Sequence, residues 1–232
     1  MTYNIELNIR LLKAVALAAS TEQTRYYLNG VNLEFNADSV IMCATDGKKL
    51  IAGKQKRIYT EQTKAGDSDG ATGESSLILP LHMIAQIKVG KRSPDYATLS
   101  FDGKGDDKLA NRALSLNYEG VTVSGAEIDG TFPHARAVIP REVGGVAAQF
   151  QPDFLMTFVK AAALCGVTTT PVVHHNGLSP ALVSWLPNDS LAGCESFGVV
   201  MPLRASDDLP ACAWFIDVPV TRKQIVPDSV AA

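Results

Sequence analysis

Ala44-Thr45-Asp46-Gly47-Lys48-Lys49-Leu50 is the stretch on which the fold turns, because it places a tight reversal between two apolar runs. Asp46-Gly47 is a strong two-residue hairpin signal: glycine takes the positive φ that such a turn demands, and aspartate tolerates the tight geometry beside it. Ser39 to Cys43 leads into the turn and Leu50-Ile51-Ala52 leaves it, so an antiparallel pair is expected. Further back, Tyr26 to Phe35 reads as another strand, joined to Ser39 to Cys43 near Asn36-Ala37-Asp38. Before that, Ile9 to Ala19 sets Leu11, Leu12, Val15, Ala16 and Ala19 at helical spacing. The unit is a helix followed by antiparallel strands.

The same order returns downstream. Leu81 to Val89 carries Leu81, Ile84, Ala85 and Ile87, and Asp153 to Leu164 carries Phe154, Leu155, Phe158, Ala161 and Ala162, each with one apolar face. The three segments start about 72 residues apart, a spacing that points to internal repeats. Strand candidates accompany the second helix at Ser76 to Leu79, Ala97 to Phe101, Ala113 to Tyr118 and Gly120 to Ser124. The expected class is α+β, with about three repeats of a helix plus an antiparallel sheet.

The chain has 232 residues, 46% of them hydrophobic, enough for a substantial core. A net charge of −3 gives no global attraction to nucleic acid, so any DNA contact must come from local clusters of cations. Cys43, Cys165, Cys194 and Cys212 are far apart, with no CxxC pair or metal-ligand spacing, and are expected to be reduced and mostly buried. The N-terminus lacks a basic segment followed by an apolar stretch, and no apolar run approaches the roughly 20 residues needed to span a bilayer. A cytoplasmic location without membrane association is expected.

Thr60 to Ser75 is rich in Gly, Asp, Ser and Thr and reads as a surface loop. Asp102 to Asp107 faintly resembles a calcium loop but lacks the bidentate glutamate and the regular alternation of ligands. His174-His175 lies by a candidate strand, where adjacent side chains point to opposite faces and cannot easily chelate one metal. Gly166 to Pro171 reads as a loop leaving a helix. Phosphate-binding glycine loops, GxSxG and HExxH are absent. No catalytic residue, metal site or cofactor is expected, and the chain does not read as an enzyme.

Four strings in order carry a family resemblance: Arg25-Tyr26-Tyr27-Leu28-Asn29-Gly30, the Ala44 to Leu50 stretch, Phe132-Pro133-His134-Ala135-Arg136-Ala137-Val138-Ile139-Pro140, and Val199-Val200-Met201-Pro202-Leu203-Arg204. Together they resemble the bacterial sliding clamp, the beta subunit of DNA polymerase III, a ring that encircles duplex DNA and tethers polymerases. The resemblance covers about Asn4 to Arg204 and implies the DNA clamp fold. Residues 1–140 resemble the clamp's middle domain of two repeats, and residues 141–204 resemble one repeat of its last domain. Residues 205–232 form an extension without an assigned role, although Ala211 to Val220 could add an edge strand or cover another chain. A counterpart of the clamp's N-terminal domain is missing, a shortened form that would fit a phage or mobile-element protein.

The resemblance also implies a peptide-binding cleft between the middle and last domains, formed by Leu28, Thr45, Gly47, Lys48, Lys49, Leu50, Pro133, Val138, Val199, Val200, Met201, Pro202, Leu203 and Arg204. Read without the resemblance, these are strand residues that pack a core. Lys48-Lys49 stands where the family has His-Arg, and Ala137 where it has a second Arg, changes that remove planar donors and alter partner choice. Helix faces toward the hole would offer Arg10, Lys13, Lys88, Lys91, Arg92 and Lys160 to DNA phosphates without base readout. The implied partners are duplex DNA, DNA polymerase and other proteins with clamp-binding motifs, a clamp loader, and further copies of the chain in a homo-oligomer. Two function readings follow: a processivity factor that encircles DNA, and a non-encircling clamp mimic or peptide-binding module that competes for clamp partners.

Overall fold

The computed structural model describes residues 2–58, 75–90, 93–102, 111–185, 191 and 193–204. Helix α1 spans Ile9–Ala16, and it starts there because the buried Asn8 side chain accepts a hydrogen bond from Leu11 N–H at 3.0 Å. Helix α2 spans Leu81–Gln86. It ends short of the expected Val89 because Ile87 takes extended backbone angles, while its side chain stays buried. Helix α3 spans Pro152–Leu164, with proline in its first turn, where the missing N–H costs no intrahelical bond.

Among the described residues, eleven strands accompany these helices: β1 Thr2–Asn8, β2 Gly30–Phe35, β3 Ser39–Thr45, β4 Lys49–Lys56, β5 Ser75–Pro80, β6 Tyr96–Asp102, β7 Ala113–Tyr118, β8 Val121–Ala126, β9 Val172–His174, β10 Ala181–Ser184 and β11 Cys194–Val200. Three details differ from the sequence reading. Tyr26 to Leu28 belongs to a 3-10 turn, Gln23–Leu28, and strand begins only at Gly30. The β3–β4 connection is three residues, Asp46 to Lys48, with the glycine at φ 87°. β1 was not expected from the sequence. Of the expected loops, residues 60–74 and 103–107 lie outside the described residues, while Ser75 opens β5 and Asp102 closes β6; residues 205–232, Cys212 among them, also lie outside the described residues.

The strands form a four-stranded sheet, β1-β6-β7-β8, and a seven-stranded sheet, β5-β2-β3-β4-β11-β10-β9, with every pairing antiparallel. Two units of strand, helix and three strands are visible, β1-α1-β2-β3-β4 and β5-α2-β6-β7-β8, and each gives its leading strand to the other's sheet. The third unit, α3-β9-β10-β11, has no leading strand among the described residues. Its β11 pairs along β4, Val199 opposite Leu50, so residues 141–204 extend the same sheet that the first unit builds.

One apolar core joins the three units: Leu11, Leu12 and Val15 of α1, Met83 and Ile84 of α2, and Phe158, Ala161 and Ala162 of α3 pack in it with both sheets. Close approach requires glycine at position 198, where an added Cβ would lie 2.6 Å from Cδ1 of Phe158. Buried polar groups tie the layers together. Gln55 of β4 accepts from Asn8 N–H at 2.7 Å and donates to Glu6 O at 2.8 Å, linking the seven-stranded sheet to β1 and the start of α1. Arg112 pairs with Glu127 at 2.8 Å and also bonds Ser76 O, which joins the two sheets at their other end.

Candidate functional site

The β3–β4 turn is over-determined by its own side chains. Asp46 Oδ1 accepts from the N–H groups of Lys48 and Lys49 at 2.8 and 2.9 Å, and its carboxylate pairs with Lys49 Nζ. Thr45 Oγ1 donates to Lys49 O at 2.7 Å and accepts from Gly47 N–H at 3.0 Å. Burial alone would raise the pKa of Asp46, but the Lys49 ammonium and the two amides outweigh it and hold the carboxyl below its ordinary value. The Lys49 ammonium also stands 5.3 Å from the centre of the Phe154 ring, a contact from the first unit to α3.

Beyond this turn, β11 continues the pairing: Met201 N–H donates to Lys48 O at 2.9 Å. The segment Phe132 to Ile139 crosses the outer face of the sheet as a strap with a short 3-10 turn, Ala135–Val138. Arg136 of the strap pairs with Glu34 of β2. Phe132, Ala135, Val138 and Ile139 pack on a small apolar cluster of Cys43, Leu50 and Val199.

Between turn, strap and β11 lies a cleft of about 120 Å³, lined by Thr45, Gly47, Lys48, Lys49, Leu50, Pro133, His134, Ala135, Val138, Val199 and Met201. Nine of the expected cleft residues meet here: Thr45, Gly47, Lys48, Lys49, Leu50, Pro133, Val138, Val199 and Met201. Leu28 and Val200 do not line it. Leu28 is buried in the 3-10 turn, and Val200 points to the main core because strand side chains alternate, Val199 out and Val200 in. Pro202, Leu203 and Arg204 run past the cleft, with Leu203 N–H bonded to Gln149 O at 2.7 Å. His134 and Ala135 were missed, although they sit within the third string between Pro133 and Val138.

A larger groove of about 1080 Å³ lies beside the cleft and shares Leu50, Pro133, His134 and Ala135 with it. Ile41, Cys43, Ala52 and Phe197 give it apolar surface, and Glu34, Lys54, Arg136 and Glu195 add charge. Burial, with the Glu34 charge adding to it, pushes the Cys43 thiol up to about 12, so this cysteine is no nucleophile at neutral pH.

The cations expected to face DNA divide. Arg10 pairs with Asp95 at 2.9 Å and bonds Gly90 O at 2.9 Å. Lys13 donates to Ile84 O at 3.4 Å and to Ile87 O, at the carbonyl end of α2, where a cation offsets the helix dipole. Burial lowers the pKa of Lys13. Both side chains therefore tie α1 to the end of α2 and the loop after it. Lys88 and Lys160 are exposed, and Lys91 and Arg92 lie outside the described residues.

His174 and His175 have structural partners: His174 Nε2 is 2.7 Å from Ser184 Oγ, and His175 Nδ1 accepts from Ala148 N–H at 3.1 Å. Among the described residues, no three His, Cys, Asp or Glu side chains come together to hold a metal ion, and no helix is long and apolar enough to cross a membrane.

The family model for the central domain of the DNA polymerase III beta subunit matches residues 4–134. The beta sliding clamp of Caulobacter vibrioides is 28% identical over 138 residues, 58% of this chain and 32% of that protein. The beta sliding clamp of Treponema pallidum is 23% identical over 130 residues, 56% of this chain and 30% of that protein. The match thus spans about a third of the length of these relatives. Among solved structures, the DNA polymerase sliding clamp of Pseudomonas aeruginosa superposes with a TM-score of 0.62 at 17% identity, over 88% of this chain and 66% of that one. The DNA polymerase III beta subunit of Thermotoga maritima gives 0.59 at 16% identity, over 89% and 66%. These likenesses establish the DNA clamp fold.

Proposed function

Because the chain belongs to the DNA polymerase III beta subunit family through the central domain of that subunit, we propose that it serves as a clamp-like processivity factor that encircles duplex DNA as an oligomer and recruits a polymerase through its cleft. The relatives carry the name of sliding clamps, a non-enzymatic family, and the proposal gives this chain no catalysis of its own. The observation that carries the reading is the cleft. Residues from β4, the strap and β11, far apart in sequence, converge on one apolar trough with the polar Asp46 turn at its end.

Such a trough suits an extended peptide: Leu50, Val138, Val199 and Met201 offer apolar contact, while backbone and lysine groups of the turn fix its register. Methionine adapts to side chains of varied shape, which fits a site that serves several partners. Lys88, with its sequence neighbours Lys91 and Arg92, would meet phosphates without reading bases, as a sliding contact requires. A clamp loader would open the ring.

The engagement of Arg10 and Lys13 with protein groups favours a second reading, a non-encircling mimic that competes for clamp partners, because it leaves fewer cations for DNA. Both readings need the cleft. Fluorescence anisotropy with a labelled peptide carrying paired Leu and Phe side chains tests it. Binding should weaken at least about tenfold in Met201→Glu, which sets a carboxylate in the trough. Unchanged binding in that variant, or none in the wild type, would remove the basis of both.

A further inference from the structure

The apolar floor of the cleft does not stop at the cleft. On the outer face of the seven-stranded sheet, alternation sets the side chains of β3, β4 and β11 in rows, and strand pairing fixes which residues share a row. Thr45, Leu50 and Val199 form the first row, and all three line the cleft. Cys43, Ala52 and Phe197 form the second row, and Ile41, Lys54 and Glu195 the third; these six line the larger groove. Ile41, Ala52 and Phe197 are only half-buried, so the groove is floored by open apolar surface.

The two cavities adjoin, since Leu50, Pro133, His134 and Ala135 line both. The strap is their common rim, and it is fixed in place. Ile128 N–H, just ahead of it, donates to Ile78 O of β5 at 3.1 Å, and Arg136 pairs with Glu34 of β2. In the opposite direction the floor ends at the β3–β4 turn, where the Asp46 carboxylate is already engaged by two amides and Lys49.

Size decides what each cavity holds. The cleft, at about 120 Å³, falls well below the roughly 300 Å³ at which ligand pockets begin, so it suits one anchoring side chain. The groove, at about 1080 Å³, has the volume of a full ligand site. A peptide anchored in the cleft meets its next apolar surface in the second row.

We infer that the groove is a second docking site for the same partner, and that it takes the residues flanking the anchor as an extended segment. Same-face residues of a strand stand about 6.6 Å apart, so the first row lies about 13 Å from the third, the reach of roughly four extended residues. The occupant therefore carries an apolar side chain two residues from its anchor, over Cys43, Ala52 and Phe197. Four residues from the anchor it carries a polar one, because Lys54 and Glu195 are exposed there. The inference rests on the cleft reading and deepens it, since it names the part of the partner that lies beyond the anchor.

Fluorescence anisotropy with labelled peptides of two lengths tests the groove. The short peptide carries the paired Leu and Phe side chains alone. Extended versions add four residues on one side or the other, with leucine two positions from the anchor and serine four positions from it. One extended peptide should bind at least about tenfold more tightly than the short one, the gain expected from burying one leucine side chain. Ala52→Arg, which sets a guanidinium in the second row, should bring the extended peptide down to the affinity of the short one. Changing that added leucine to serine should do the same without altering the protein. Amide chemical shifts read the contact independently: Ala52 and Phe197 should move with the extended peptide and stay in place with the short one. Equal affinity of all lengths, a gain that survives both substitutions, or no shift at Ala52 and Phe197 overturns the inference. The short peptide reads the cleft separately. Binding of the short peptide without gain on extension keeps the cleft and removes the groove, whereas no binding by any peptide removes both.

Discussion

Asp46→Ala strikes the residue that holds the cleft's turn, and its effect can be worked from the bonds that the carboxylate makes. The substitution removes acceptors for two backbone N–H groups, at 2.8 and 2.9 Å, and the partner of a Lys49 ammonium whose side chain is 12% exposed. Bonds to a charged group contribute about 1.5 to 3 kcal/mol each in favourable settings. The Asp46 side chain is itself 18% exposed, so water can reach the orphaned groups, and the expected total is about 2 to 3 kcal/mol rather than the full sum. Asp46→Asn keeps an acceptor oxygen and loses the charge, for about 1 kcal/mol.

The pH dependence of this effect has a definite sign. The folded-state pKa of Asp46 lies below the unfolded value of 3.8, so its contribution is complete above pH 3.8 and is lost as pH falls through the lower, folded value. Urea denaturation of the wild type and Asp46→Asn, followed from pH 7 into the acid limb, should show the gap between them close in that window. A loss below about 0.5 kcal/mol for Asp46→Ala at pH 7, or a gap that persists in acid, would refute the account of the turn.

Other substitutions probe the frame around the cleft. Gly198→Ala drives a methyl group into the Phe158 ring and should destabilise the protein by about 1 to 3 kcal/mol by calorimetry, whereas tolerance would show that α3 and β11 pack more loosely than described. Gln55→Ala should cost about 2 kcal/mol in urea, because it orphans Asn8 N–H and Glu6 O where β4 meets β1. Cys43 and Cys165, both pushed up to about 12 chiefly by burial, should resist alkylation at pH 8 in the folded protein and react on denaturation, as mapped by mass spectrometry. Lys13→Met should be tolerated for burial but should loosen the end of α2, seen as faster amide exchange from Ile84 to Ile87.

What the sequence made legible was local. The Asp46-Gly47 turn, the helices of the three units and the strands after them follow from neighbouring residues, and nine cleft residues follow from strings that hold those turns. The rest depended on distant partners. β1 has the alternation Tyr3-Asn4-Ile5-Glu6-Leu7, but it becomes a strand by pairing with β6, whose residues lie more than 85 positions away. Tyr26 and Tyr27 have the composition of a strand, yet the chain must turn there to enter β2, and a 3-10 turn results. Arg10 and Lys13 look like a cationic helix face until the carbonyls of Gly90, Ile84 and Ile87, over 70 residues on, claim them. Alternation along β11, applied to Val199 and Val200, would have told the cleft residue from the core residue.

Encirclement is tested most directly by retention on DNA of different topology. The protein is loaded, with a clamp loader where one is needed, onto nicked circular DNA and onto the same DNA linearised, and both are passed through a sizing column in high salt. A clamp should stay with the circle, where salt cannot release a topological link, and slide from the ends of the linear form. Equal loss from both, with peptide binding intact, would contradict the ring and leave a module that uses the clamp's cleft without its hole.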